Sequence, residues 1–120
     1  MARFDRAAER LKRHRRIRKR IRGTSERPRL CVTKTLRHLY AQVIDDEIGR
    51  TLAQASTLEP EIRVDVSGPN VAAAEELGTV LAERASKNGV EAVVFDRGGH
   101  QYHGVISSFA EACRKGGLRF

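Results

Sequence analysis

No stretch of this 120-residue chain comes near the roughly 20 consecutive apolar residues of a membrane-spanning helix, which excludes a spanning segment of that kind. The N-terminus carries charge with no apolar core behind it, so no secretory signal is expected. Asp5 and Glu9, with no serine-rich stretch after them, argue against an organelle presequence. Tryptophan is absent. An interfacial membrane helix wants a broad face of Trp, Phe and Leu, and the N-terminal segment offers only Phe4, Leu11, Ile17 and Ile21. Cysteine is scarce: Cys31 and Cys113 stand far apart and in no CxxC, which excludes a disulfide framework and points to buried thiols in a reduced, cytoplasmic setting. No phosphate loop, cofactor fingerprint or nucleophile-and-base constellation occurs, so neither enzyme chemistry nor a cofactor is expected.

Acid is what the segment from Arg10 to Arg22 lacks. Arg10, Lys12, Arg13, Arg15, Arg16, Arg18, Lys19, Arg20 and Arg22 follow one another with no Asp or Glu between them. From Met1 to Arg29, thirteen Lys/Arg stand against Asp5, Glu9 and Glu26, a net of +10; the remainder holds ten against twelve, a net of −2, and the two give the chain's +8. All the excess positive charge therefore lies in the first quarter. Such a run attracts a polyanion, and nucleic acid fits because each neutralised phosphate releases a condensed counterion. Arginine outnumbers lysine there, and its planar fork suits bidentate phosphate contact.

The length allows one domain with a modest core, so residues 1–28 read as a basic arm and residues 29–120 as the globular body. From Ala2 to Arg22 there is no Gly or Pro, and apolar and basic residues recur at three- and four-residue spacing, which predicts a helix stopped by Gly23. Like charges four apart, Lys12 with Arg16 and Arg16 with Arg20, oppose that helix, so the arm is expected to fray alone and order on phosphate. Thr24 to Pro28 form a polar hinge. Strands are expected at Arg29 to Lys34, His38 to Asp45 and Arg50 to Ser56, as an antiparallel meander with Leu39, Ala41 and Val43 inward and Tyr40 and Gln42 displayed. Thr57 to Asn70 reads as a loop, with the alternation of Ile62, Val64 and Val66 leaving an edge strand open. Val71 to Asn88 carries an apolar stripe and ends at Gly89, an amphipathic helix. Val90 to Asp96 reads as a strand buried on both faces, reached by a parallel crossover. A second packed helix begins at Val105 and stops at Gly116 and Gly117, with Leu118 and Phe120 tucked back. The expected fold class is α/β, a mixed sheet of three antiparallel strands and one parallel strand with helices packed on it.

Outside the arm, the loop from Arg97 to His103 is a strand-to-helix turn whose Gly98 and Gly99 let the main chain approach another backbone closely, with N–H groups open to a phosphate. His100 and His103 invite a metal reading, but zinc needs two further ligands and neither cysteine is near in sequence, so no metal is expected. Tyr102, His103, His38 and Tyr40 are flat side chains able to stack on unpaired bases or to fill half-buried sites. Asp45, Asp46 and Asp96 raise the alternative of a metal-dependent nuclease. Metal-holding carboxylates must converge from separate elements, whereas Asp45, Asp46 and Glu47 are consecutive at a turn and read as solubilising it. A free basic regulator of DNA is a further reading of the charge.

An ordered set of motifs goes further: RxxRHxR-like charge in the arm, GTxERPRL at Gly23 to Leu30, RHLYAQVIDD at Arg37 to Asp46, TLAQAST at Thr51 to Thr57, FDRGGHQYHG at Phe95 to Gly104, and GGLRF at the C-terminus. Together they resemble the bacterial large-subunit ribosomal protein family uL18, over nearly the whole chain. The resemblance implies the translational-machinery fold related to ribonuclease H, and a non-enzymatic part of the large subunit. Its implied partners are 5S rRNA, 23S rRNA at the central protuberance, and neighbouring 5S-binding proteins, with neither membrane nor homo-oligomer. Carried over by matching residues, the RNA-contacting set is Arg10, Arg13, Arg15, Arg16, Arg18 and Lys19 in the arm, Arg27 and Arg29 at its exit, Arg37, His38, Tyr40 and Gln42 on the sheet, and Arg97, Gly98, Gly99, Tyr102 and His103 in the loop. Arg20 and Arg22 from the charge run, and Lys34 on the first strand, complete the candidates. Val105 stands where relatives usually have Arg after the YHG triplet, and Ile106, Ser107 and Ser108 follow it, so a phosphate contact is not carried over there.

Overall fold

The computed structural model describes residues 5–60, 62 and 69–120. Its elements are α1 (Arg6–Arg20), β1 (Arg29–Lys34), β2 (Leu39–Asp45), β3 (Arg50–Ser56), α2 (Val71–Lys87), β4 (Val94–Asp96) and α3 (Val105–Lys115). One sheet has the order β3-β2-β1-β4. β1 and β2, and β2 and β3, are antiparallel, while β4 lies parallel to β1 with Leu30 opposite Phe95. The sheet is therefore the expected mixed one. The crossover helix α2 leaves β3 at one edge and delivers β4 to the other, beside β1.

Alternation along the strands sorts the side chains. Leu30, Val32, Leu39, Ala41, Val43, Ala53 and Ala55 are buried, and α2 and α3 cover that face with Ala74, Leu77, Leu81, Ala85, Ile106, Phe109 and Cys113. Gly78 sits where α3 crosses α2: a Cβ there would stand 2.7 Å from the Ala112 methyl and the Phe109 carbonyl oxygen. Phe109 is fully buried at this crossing. Truncating it to Ala is expected to cost about 3–5 kcal/mol, read as a lower denaturant midpoint with an unchanged slope. The opposite face carries Cys31, Gln42 and Gln54 in register, with Thr33, Tyr40 and Ser56 in the next row.

Two expectations need correction. The strand expected over Val90 to Asp96 and buried on both faces is only Val94–Asp96, and Val94 and Phe95 are half-buried. β4 is an edge strand, and its cover comes from aromatics: Phe95 stacks on Phe120 at 5.3 Å and meets Tyr102 edge-on at 6.0 Å. Leu118 is buried as expected. Gly23 does not stop the arm helix, which ends at Arg20 with Ile21 extended as its cap; Gly23 instead donates its N–H to Asp46. Of the alternating residues after Thr57, Ile62 is buried in the core, while Val64 and Val66 lie outside the described residues, as do residues 1–4.

α1 itself is the helix that the spacing of the arm predicts. Asp5 caps it, its Oδ1 accepting from the N–H groups of Ala7 (3.0 Å) and Ala8 (3.2 Å). Arg18, Lys19 and Arg20 fall in the last turn, where the helix dipole favours cations. Carboxylates of the body, described next, offset part of the repulsion along it.

Candidate nucleic-acid interface

α1 has two faces. Arg10, Arg13, His14 and Arg18 are half-buried, whereas Lys12, Arg15, Arg16, Lys19 and Arg20 are exposed, as is Arg22 just beyond. The half-buried face makes a series of polar contacts with the body. Arg10 donates to the Gly98 carbonyl (3.1 Å), Arg13 to the Gly99 carbonyl (2.9 Å), His14 Nε2 meets Asp96 Oδ2 (2.9 Å), and Arg18 reaches Asp46 Oδ2 (3.3 Å). Gly99, at φ +80°, accommodates the helix backbone: a Cβ there would run into the carbonyl oxygen of Arg10 and lie 3.0 Å from the His14 nitrogen. The close approach expected of the glycine pair thus occurs, with α1 as the backbone approached.

Beneath α1, Arg29 joins the two acids. Its Nε and Nη2 donate to Asp46 (3.0 and 3.2 Å) and its Nη1 to Asp96 (2.8 Å). Arg29 is 7% exposed and Asp96 0%. Burial pulls the guanidinium toward its neutral form, but the hydrogen bonds it donates to Asp46 and Asp96 outweigh it and hold its pKa up. Burial likewise pushes Asp96 up, and His14, the Gly98 N–H and Arg29 together bring it below the ordinary carboxylate value. Asp46 falls to about 2, chiefly through its bonds from Arg29, despite some burial and with help from the Gly23 N–H.

The sign of the resulting pH dependence follows from depressed carboxylates. Asp46 contributes stability that is fully present above its ordinary value of 3.8 and is lost as pH falls through about 2, and Asp96 adds in the same direction. Denaturant midpoints taken from pH 5 down to pH 2 are expected to fall for the parent chain and to fall less steeply for Asp46→Asn.

The reading of Asp46 as a solubilising residue is corrected by these bonds; two cations, Arg18 and Arg29, and the Gly23 N–H converge on it because the hairpin tip turns back over the arm's exit. Asp45 is also buried, accepting the N–H of Glu47 at 3.0 Å. Asp46 and Asp96 do not make the metal-holding pair of the nuclease alternative, since the Arg29 guanidinium stands between them where metal ions would have to sit. His14, Cys31 and Asp96 do bring ligand atoms within 4.8 Å of one another. A cation there would face Arg29, and burial together with Asp96 pushes the Cys31 thiol up to about 11, away from the thiolate a metal needs. His100 accepts the Lys34 N–H at 3.0 Å through Nε2, and burial among Arg10, Lys34 and Arg13 lowers it to about 4, so the ring is neutral and its proton sits on Nδ1.

The candidates that reach solvent, wholly or in part, gather in two places. Arg13, Arg16, Ile17, Lys19 and Arg20 with Arg97 line an open cleft of about 400 Å³ between α1 and the 97–104 loop. Arg97 is held there by its bond to the His100 carbonyl (2.9 Å). On the sheet's outer face, Gln42 is exposed and Tyr40 half-buried, with His38 edge-on to Tyr40 at 6.4 Å and bonded to Thr57. Lys34 and Arg37 are exposed at the adjoining turn, and Arg27 at the arm's exit. Other candidates are spent inward: Arg29 as above, and Gly98, whose N–H donates to Asp96 at 2.9 Å. Tyr102 accepts from Arg114 of α3 (3.0 Å), which ties it to the C-terminal helix, and His103 is exposed beside it. Sequence reasoning missed His14, although Arg10, His14 and Arg18 stand four apart and so share one helix face.

A cationic helix mounted on a mixed sheet, with Asp46 and Asp96 bonded to Arg18, Arg29 and His14, has the charge arrangement of a polyanion-binding protein. The family model for "Ribosomal L18 of archaea, bacteria, mitoch. and chloroplast" matches residues 4–120. The chain is 52% identical over 118 residues to large ribosomal subunit protein uL18 of Heliobacterium modesticaldum, covering 98% of this chain and 97% of the relative. It is 54% identical over 117 residues to that of Caldicellulosiruptor saccharolyticus (97% and 94%), and 52% over 118 residues to that of Aquifex aeolicus (96% and 95%). The chain belongs to the ribosomal L18 family, and is a structural, non-enzymatic constituent of the large ribosomal subunit.

Proposed function

We propose that the chain binds 5S rRNA and helps attach it to 23S rRNA, with neighbouring 5S-binding proteins beside it. The observation that carries this reading is the division of α1, which turns Lys12, Arg15, Arg16, Lys19, Arg20 and the following Arg22 outward on the same molecule that displays Arg97, Tyr40 and Gln42. The outward cations supply sequence-independent phosphate attraction. The body supplies position and a few base contacts, with Tyr40 and His38 as stacking surfaces and Gln42 as a hydrogen-bonding one. Arg29, Gly98 and Gly99 act in this interface by placing α1. In competition at physiological salt, unlabelled 5S rRNA is expected to displace labelled 5S rRNA from the full chain and duplex DNA is not. Equal displacement by DNA would return the charge to a non-specific DNA-binding role.

A further inference from the structure

The half-buried face of α1 matches the body residue for residue. Arg10, His14 and Arg18, each four positions after the last, meet the Gly98 carbonyl, Asp96 and Asp46 in that order. Arg29 spans Asp46 and Asp96 from below, so the acceptors form one continuous ladder with fixed spacing. A helix shifted along this ladder by one residue would turn His14 about 100° away from Asp96, bring Arg13 or Arg15 round in its place, and break the register of Arg10 with Gly98 and of Arg18 with Asp46. Backbone contact at Gly99 closes the remaining freedom, since the helix can sit that near only where no side chain intervenes.

We propose that Asp96 and Asp46 are positioning residues for RNA binding: with His14 and Arg18 as their counterparts, they fix the direction and rotation of α1 so that its other cations face the RNA. The inference rests on the RNA-binding reading for its consequence, but the docking itself is measurable without RNA. The groups facing Asp96 are His14 from α1, Arg29 and Cys31 from β1, and the Gly98 N–H from the loop; those facing Asp46 are Arg18, Arg29 and the Gly23 N–H.

Full-length His14→Ala, His14→Gln, Asp96→Asn and Arg16→Ala are compared in two measurements. In amide exchange on the protein alone, α1 of His14→Ala is expected to exchange about tenfold faster than the parent, the loss of one hydrogen bond to a charged group. His14→Gln, which keeps a donor, is expected to stay near the parent. In 5S rRNA titrations at several salt concentrations, His14→Ala and Asp96→Asn are expected to weaken binding about tenfold with the salt slope unchanged. Arg16→Ala is expected to reduce the slope by about 0.9, the mark of a lost phosphate contact. The proposal is overturned if α1 exchanges alike in parent and His14→Ala, or if His14→Ala reduces the slope as Arg16→Ala does. If no variant, nor the parent, prefers 5S rRNA to duplex DNA, the RNA reading fails while the exchange result still decides the docking. Because Asp96→Asn carries a risk to folding, the deciding variant is His14→Ala, whose change lies on the arm.

Discussion

Raising salt from 50 to 200 mM is expected to weaken capture of 5S rRNA by about 10³-fold, rather than by the roughly 10⁵-fold that all nine cations of the arm would give. The difference comes from geometry. With about 0.9 counterions released per phosphate, six outward cations and nine total cations predict slopes near 5 and 8, and a fourfold rise in salt separates these by about two orders of magnitude. Arg10, Arg13 and Arg18 belong to the nine but donate to Gly98, Gly99 and Asp46. Binding isotherms across that salt range give the slope directly. A value near 8 would mean that α1 leaves the body and spends every cation on RNA. Removing residues 1–22 is expected to abolish most of the capture while the body stays folded, because Asp96 and Asp46 keep Arg29 when His14 and Arg18 are gone.

Arg29→Ala is expected to destabilise the protein by about 3–5 kcal/mol, the cost of stranding a buried carboxylate when its partner is removed. Asp96 is 0% exposed and Asp46 draws its chief stabilisation from the same guanidinium, so both carboxylates lose a donor at once and Asp46 loses its main one. For a domain of this length, each kcal/mol lowers Tm by roughly 4 °C, which makes the shift about 12–20 °C. Thermal melts at pH 7 read it, with Arg16→Ala as the contrasting surface change expected to stay within about 0.5 kcal/mol. An Arg29→Ala protein as stable as its parent would show that the ladder contributes little to the fold. It would also leave unexplained why a guanidinium in the sequence motif at the arm's exit is buried rather than turned toward RNA.

The elements that were legible in the sequence are those whose signal is local. Leu39, Ala41 and Val43 alternate, and β2 buries them. Val71 to Asn88 repeats its small and apolar residues at helical spacing, and α2 buries Ala74, Leu77, Leu81 and Ala85. The charge run between Arg10 and Arg22 is visible in the sequence without any structure. What failed were readings that depended on where an element ends up in space. Val93, Val94 and Phe95 look like a central strand by composition, yet β4 is short and at an edge, covered by Phe120 and Tyr102. Asp46 looks like a hairpin solubiliser, yet a tip that folds back over Gly23 and Arg29 becomes an ion-pair hub.

The amino-acid sequence by itself determined the charge segregation, the α/β element order and the membership suggested by its motifs, because composition and periodicity are properties of neighbouring residues. Tertiary structure alone decided which cations of the arm look outward. A helix carrying basic residues on every side has no preferred face until something distant selects one, and here the selection comes from Asp96 and Asp46, which lie 82 and 28 residues along the chain from their partners His14 and Arg18.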